Sequence, residues 1–245
     1  MALREELERT GNWLFLWRSY LPVLMIVPTV LALPGLGGRR DEPSLTWELF
    51  CLAVSLFGLG VRVLTIGHTP VSTSGRNTRE GQVAEVLNST GIYSTVRHPL
   101  YVGNYFMWLG AALFPGVWWS PVFMSLVYWL YYERIMFAEE EFLRRKFGAV
   151  YEQWAEHTPA FIPRPGGWTA PSLPFSTRNV LRREYSGLFG VVVIFALLEL
   201  LEHVFLYRRA TMHPVWVGVL VVGALLYLTL RTLKRSTRVL KVEGR

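Results

Sequence analysis

The 245-residue sequence predicts an all-α, polytopic integral-membrane protein with about six transmembrane helices and a cytoplasmic interfacial helix. Three observations predict it. Hydrophobic residues form 51% of the chain and gather in blocks near the ~20 residues that cross a bilayer. A Pro-Gly pair divides the one block too long for a single crossing. Basic residues collect on one side of the resulting spans.

Taken in order, Met1–Thr10 mixes Arg4 and Arg9 with Glu5, Glu6 and Glu8, unlike the cationic start of a cleaved signal. The first apolar run, Trp13–Leu33, is therefore predicted to be a retained span, although Arg18 and Pro22 interrupt it. Trp47–Gly67 is the second span, and the polar, turn-rich Thr69–Asn88 is a loop. Leu100–Phe137 makes two spans that fold back at Phe114-Pro115-Gly116. From Glu139 to His157, Phe142, Leu143, Phe147, Val150, Tyr151 and Trp154 recur at spacings of one, three or four, as in an interfacial helix. Pro159, Pro163 and Pro165 end it. Gly166–Arg178 is a linker, and Gly187–Tyr207 and Pro214–Leu233 complete the six. Three units result: an N-terminal helix and loop (1–46), a core (47–164), and a linker with two C-terminal helices (165–245).

With six spans, eighteen Arg and Lys residues share one face, while Arg39, Arg40, Arg208 and Arg209 lie on the other. Positive-inside bias then places both termini, the Arg97-His98-Pro99 segment and the Glu139-Glu140-Glu141 cluster in the cytoplasm. Anionic headgroups account for the net charge of +7, so no nucleic-acid partner is expected. The lone Cys51 excludes a disulfide framework. No inverted repeat favours a transporter. Gly35-Leu36-Gly37-Gly38 and Gly58-Leu59-Gly60 follow no strand, which rules out a dinucleotide fingerprint.

The chemistry concentrates in two clusters. In Thr90–Gly103, Pro99 suits the first turn of a helix, whose exposed N–H groups favour an anion. Gly103 permits close backbone approach. Alone, Arg97 and His98 also read as a membrane border. A hairpin of two spans returns Glu139, Glu140 and Glu141 to the level of Arg97 and His98. Such carboxylates could hold a ligand with an amine and a positive centre; alone, they also read as a solvated acidic helix start.

The joint pattern is more specific. Gly91–Gly103 (G-I-Y-S-T-V-R-H-P-L-Y-V-G), Glu139–Trp154 (E-E-E-F-L-R-R-K-F-G-A-V-Y-E-Q-W) and Pro159–Pro163 (P-A-F-I-P) resemble the integral-membrane methyltransferases that include isoprenylcysteine carboxyl and phospholipid N-methyltransferases. The resemblance covers about Trp47–Arg164; Trp154 stands where the family has Tyr, and Glu141 extends its glutamate pair. It implies S-adenosylmethionine as methyl donor, held by His98, Pro99, Tyr101, Gly103, Glu139 and Glu140. The flanking S-G-R-N-T and L-N-S-T-G segments look like a bacterial branch, which implies an inner-membrane location and, for some members, a lipid A phosphate as acceptor.

Methyl transfer from a sulfonium is an in-line displacement that needs alignment and exclusion of water. An anionic oxygen is already nucleophilic and needs an arginine to position it, whereas an amine needs a base. Arg97 and Arg134 are therefore expected to orient a phosphate or carboxylate on a lipid or lipidated acceptor, with Tyr151 lining the site and Arg76 and Asn104 contacting the substrate. An isoprenylcysteine carboxyl, a phospholipid amine and a non-catalytic lipid-binding scaffold are the alternatives. In the fifth span Glu199, Glu202 and His203 share a helical face, with Arg18 and Arg62 as candidate partners for Glu199. No second ligand set is evident there, so no metal is assigned.

Overall fold

A computed structural model describes residues 2–18, 20–33, 44–70, 84–242 and 244. Its elements are α1 (Leu3–Trp17), α2 (Ile26–Ala32), α3 (Leu45–His68), α4 (Pro99–Leu113), α5 (Trp119–Phe147), α6 (Ala149–His157), α7 (Thr177–Tyr207) and α8 (Pro214–Ser236), joined by short 3-10 turns and loops. Among the described residues no β-strand forms; Gly91 and Thr169 make one isolated bridge.

The membrane count is lower than expected. Among the described residues, α3, α7 and α8 are each long and apolar enough to cross a bilayer, and a fourth crossing exists if Leu3–Trp17 and Leu21–Leu31 are one bent span. That pair bends by 92°. Pro22, at the start of the 3-10 turn Leu21–Met25, cannot continue the preceding helix. The 15 residues of α4 extend only ~22 Å, short of a ~30 Å hydrocarbon core. The 29 residues of α5 run past their apolar part into Glu139–Arg145.

The punctuation follows the sequence closely. Gly116, at φ 64°, closes the α4–α5 turn, its N–H donating to the Leu113 carbonyl at 2.9 Å. Gly148, at φ 53°, separates α5 from α6, so the interfacial segment is the tail of one helix followed by another. That backbone region is one glycine enters freely. Helix α7 starts ten residues before the predicted span, where Ser176 caps it by accepting from the Asn179 N–H.

Small residues let the core helices approach. Helices α3 and α4 cross at Gly58 and Gly103, and again where Gly110 lies on Ser55, whose hydroxyl donates to the Met107 carbonyl at 2.7 Å. A Gly58→Leu side chain would overlap the Gly103 carbonyl and Phe106. It is expected to cost about 1–3 kcal/mol or more. Gly60→Leu, where a Cβ meets no atom within 4 Å, leaves stability unchanged. Thermal melts of both variants in detergent check this.

Helix α1 packs on α5, with Gly11 against the Arg134 carbonyl, and is fastened by the ion pairs Arg4–Glu141 and Arg145–Glu8. One aromatic core gathers Phe15, Tyr101, Tyr128 and Tyr132; a second joins Phe114, Phe195 and Trp216. Beside the second, Glu48 of α3 converges with Glu199 and Glu202 of α7, the three carboxylates lying within 4.8 Å of one another. Trp216 Nε1 donates to Glu48 at 2.6 Å, while the His213 N–H and His203 Nε2 meet Glu199 at 3.1 and 3.3 Å. The expected face of Glu199, Glu202 and His203 thus acquires a carboxylate from another helix. Arg62 pairs elsewhere, with Glu184.

Candidate active site

The segment before α4 is held by the segment after α6. Arg97 and His98 donate their N–H groups to the carbonyls of Pro159 and Ala160 at 2.9 and 3.1 Å, and Arg164 N–H returns to Thr95 at 2.9 Å. Trp154 Nε1 donates to the Tyr93 carbonyl at 3.1 Å. These bonds fix the Arg97-His98-Pro99 turn against α5 and α6, with Pro99 at the first position of α4.

The two polar clusters meet. Arg97 donates to both oxygens of Glu140, at 2.9 and 3.2 Å, and its Nη1 donates to the carbonyls of Ala155 and Thr158 at 2.8 and 2.7 Å. His98 Nε2 lies 2.9 Å from Glu140 Oε1, while its Nδ1 is 3.6 Å from Glu139. The Tyr101 hydroxyl donates to Glu139 at 3.0 Å, and its ring stacks on His98. Burial alone would raise the Glu140 carboxyl, but the hydrogen bonds and charges of His98 and Arg97 outweigh it and hold it at about 2. Tyr151 lies fully buried near Glu140, and burial followed by that negative charge pushes its hydroxyl up. The hydroxyl therefore stays protonated.

A cavity of about 540 Å³ opens from this cluster, within the range of small-molecule sites. His98, Pro99, Tyr101, Glu139, Glu140 and Tyr151 line one part of it; Arg97 and Asn104 line it as well. Gly103 and Arg134 are not among the lining residues. Gly103 faces Gly58 and Arg62 in the α3–α4 seam, and the Arg134 backbone faces Gly11 of α1. Arg76 lies outside the described residues. The Arg97 guanidinium is committed to protein acceptors on all three nitrogens, so its geometry is that of a group positioning Glu140.

Six residues further along α4, or ~9 Å, Asn104 accepts from Arg62 Nη1 at 2.7 Å and donates to the Tyr132 hydroxyl at 3.3 Å. Arg62 also grips both oxygens of Glu184 at 2.7 Å. Arg18, Arg62, Arg183 and Glu184 all line the cavity, and none was singled out from sequence as a site residue. The available signal was Arg62 itself, a cation in the middle of an apolar span.

Residues 49–150 match the family described as phospholipid methyltransferase. Over 79 residues the chain is 40% identical to the protein-S-isoprenylcysteine O-methyltransferase of Schizosaccharomyces pombe, covering 32% of this chain and 33% of that protein. Over 152 residues, 61% of the chain, it is 29% identical to the nickel-cobalt-cadmium resistance protein NccN of Alcaligenes xylosoxydans xylosoxydans, covering 67% of that protein. Over the same share it is 33% identical to the cobalt-zinc-cadmium resistance protein CzcN of Cupriavidus metallidurans, covering 66% of it. The matched part is thus a third of the fission-yeast protein and about two thirds of the bacterial ones. No solved structure matches the chain. Residues 49–150, which contain the joined arginine, histidine and glutamate clusters, are thus the part of the chain that matches the phospholipid methyltransferase family.

Proposed function

We propose that the protein is an S-adenosylmethionine-dependent O-methyltransferase acting on an anionic oxygen of a membrane lipid or lipidated acceptor. The observation that carries this reading is the cavity in which Glu139 and the Tyr151 hydroxyl stand beside the Arg97–His98–Glu140 lock. The residues present fit the donor. Glu140 is saturated by Arg97 and His98, whereas Glu139 is held by Tyr101 with oxygen capacity left for a cationic amine or sulfonium. Tyr151 supplies a hydroxyl donor, and Tyr93 and Trp154 supply aromatic walls. When bound, the donor supplies an electrophilic methyl group.

The chain's own residues would hold that group in line with the acceptor and keep water away. Four arginines, Arg18, Arg62, Arg97 and Arg183, line the cavity, which favours a phosphate or carboxylate over an amine. A carboxylate is the acceptor implied by the fission-yeast relative's name, and a lipid A phosphate fits the same electrostatics. Arg97 is locked on Glu140, Arg62 is committed on all three nitrogens to Glu184 and Asn104, and Arg134 lies outside the cavity, so orienting the acceptor falls to Arg18 and Arg183. The excess of basic residues at the ends nearest the site supports a cytoplasmic face of a bacterial inner membrane.

S-adenosylhomocysteine is expected to raise the melting temperature of the protein in detergent, since a ligand selective for the folded state stabilises it. Absence of a shift at saturating ligand would favour a non-catalytic lipid-binding scaffold. Mass spectrometry of lipid extracts from cells with and without the protein identifies the acceptor as the species that gains one methylene.

A further inference from the structure

Helix α7 lies outside the family-matched residues 49–150, yet it gives the cavity one continuous wall. Arg183, Glu184, Gly187, Gly190, Val191 and Ile194 all line it. Their spacings of one, three and four place them on one helical face, about 17 Å long at 1.5 Å per residue.

That face changes character along its length. Glu184 opens it, gripping Arg62 beside Asn104. Two glycines follow where side chains would ordinarily fill a seam between helices. A Cβ at Gly190 would meet no atom within 4 Å, and one at Gly187 would meet only Glu184 at 3.5 Å and Leu59 at 3.8 Å. Beyond them stand Val191, Ile194 and Phe195. The result is a slot with an ionic end and an apolar end, open to the cavity that holds Glu139 and Tyr151. Val193 and Leu197 flank this face and are exposed.

We infer that this face of α7 seats the hydrocarbon chain of the methyl acceptor, with its acidic head at the ionic end beside Arg183 and its tail along Gly187, Gly190 and Val191 to Phe195. The helix thereby selects which acceptors the core can use. The inference rests on the methyltransferase reading above. Acyl and isoprenyl chains share the required chemistry, a slender apolar chain behind an acidic group. A headgroup alone would leave the apolar end of the slot without a ligand.

The test reconstitutes the whole protein in nanodiscs with a diazirine-bearing palmitate or a diazirine-bearing farnesyl phosphate and maps photolabelled residues by mass spectrometry. Labelling of Val191, Ile194 or Phe195 is expected, and the probe that labels them identifies the chain type. Gly190→Trp is expected to cut that labelling by about tenfold or more, because the indole would occupy the open space that Gly190 leaves for the chain. The response to S-adenosylhomocysteine should remain. Gly190→Leu replaces it if the tryptophan variant does not fold. Labelling confined to Val193 and Leu197 reports bilayer lipid alone and overturns the inference, as does labelling unchanged by both variants. Loss of S-adenosylhomocysteine stabilisation in the unaltered protein would instead sink the methyltransferase reading, so the two failures are distinguishable.

Discussion

Glu140→Ala is expected to abolish turnover and S-adenosylhomocysteine stabilisation together, and to lower stability in detergent by about 3–5 kcal/mol, the usual cost of removing one partner from a buried ion pair. Arg97 and Glu140 are only 16% and 17% exposed in their side chains, and His98 only 5%. Removing the carboxylate leaves the Arg97 guanidinium without its counter-charge and His98 Nε2 without its partner in a poorly solvated space. The same carboxylate ties the start of α4 to the polar end of α5, so its loss also frees the wall of the cavity. Glu139→Ala gives the contrast. Its main protein partner is the Tyr101 hydroxyl, so stability should fall far less while ligand stabilisation still disappears. Melting curves of both variants, with and without S-adenosylhomocysteine, separate the lock from the ligand contact. Wild-type ligand response in Glu140→Ala would remove the lock from the site.

Acid should loosen the lock in a defined window. Glu140 lies past the apolar part of α5 and has a folded value of about 2 against an ordinary 4.5. A depressed carboxyl contributes its full stabilisation above the unfolded value and loses it as pH falls towards the folded one. The contribution, about 3 kcal/mol on that shift, is therefore complete above pH 4.5 and declines as pH falls to about 2. Glu140→Gln should flatten that decline in melts between pH 5 and pH 2.

Much of the site was legible because its parts are local. The turn at Phe114-Pro115-Gly116 fixes a hairpin, and a hairpin's two ends must be neighbours whatever the rest of the chain does. That is why Arg97 and His98 reach Glu140, and Tyr101 reaches Glu139. Gly103 was legible as a site of close approach but not as to its partner, which is α3. Contacts across long separations were hidden. Arg62 and Glu184 are 122 residues apart, and Glu48 joins Glu199 and Glu202 from another helix. No periodicity within one helix encodes which other helix it will face. The six-span count is not confirmed for a related reason. Block length measures apolar content, whereas Pro22 and the early end of α4 are set by backbone geometry.

The second large effect is expected at Glu184. Arg62 donates twice to its carboxylate and once to Asn104, deep between α3, α4 and α7. Glu184→Ala leaves a buried guanidinium without its counter-charge, so a loss of about 3–5 kcal/mol is expected. A hydrophobic pair of similar volume in place of a buried ion pair is often neutral or stabilising. The double variant Arg62→Met with Glu184→Leu should therefore recover much of the stability. If the pair only braced α7 against the core, turnover would recover with it. If the pair also shapes the ionic end of the slot that takes the acceptor's head, the double variant should melt near the parent and bind S-adenosylhomocysteine normally, yet methylate the native lipid extract poorly. Recovery of turnover with stability would assign the pair to bracing and leave Arg18 and Arg183 as the cations that meet the acceptor.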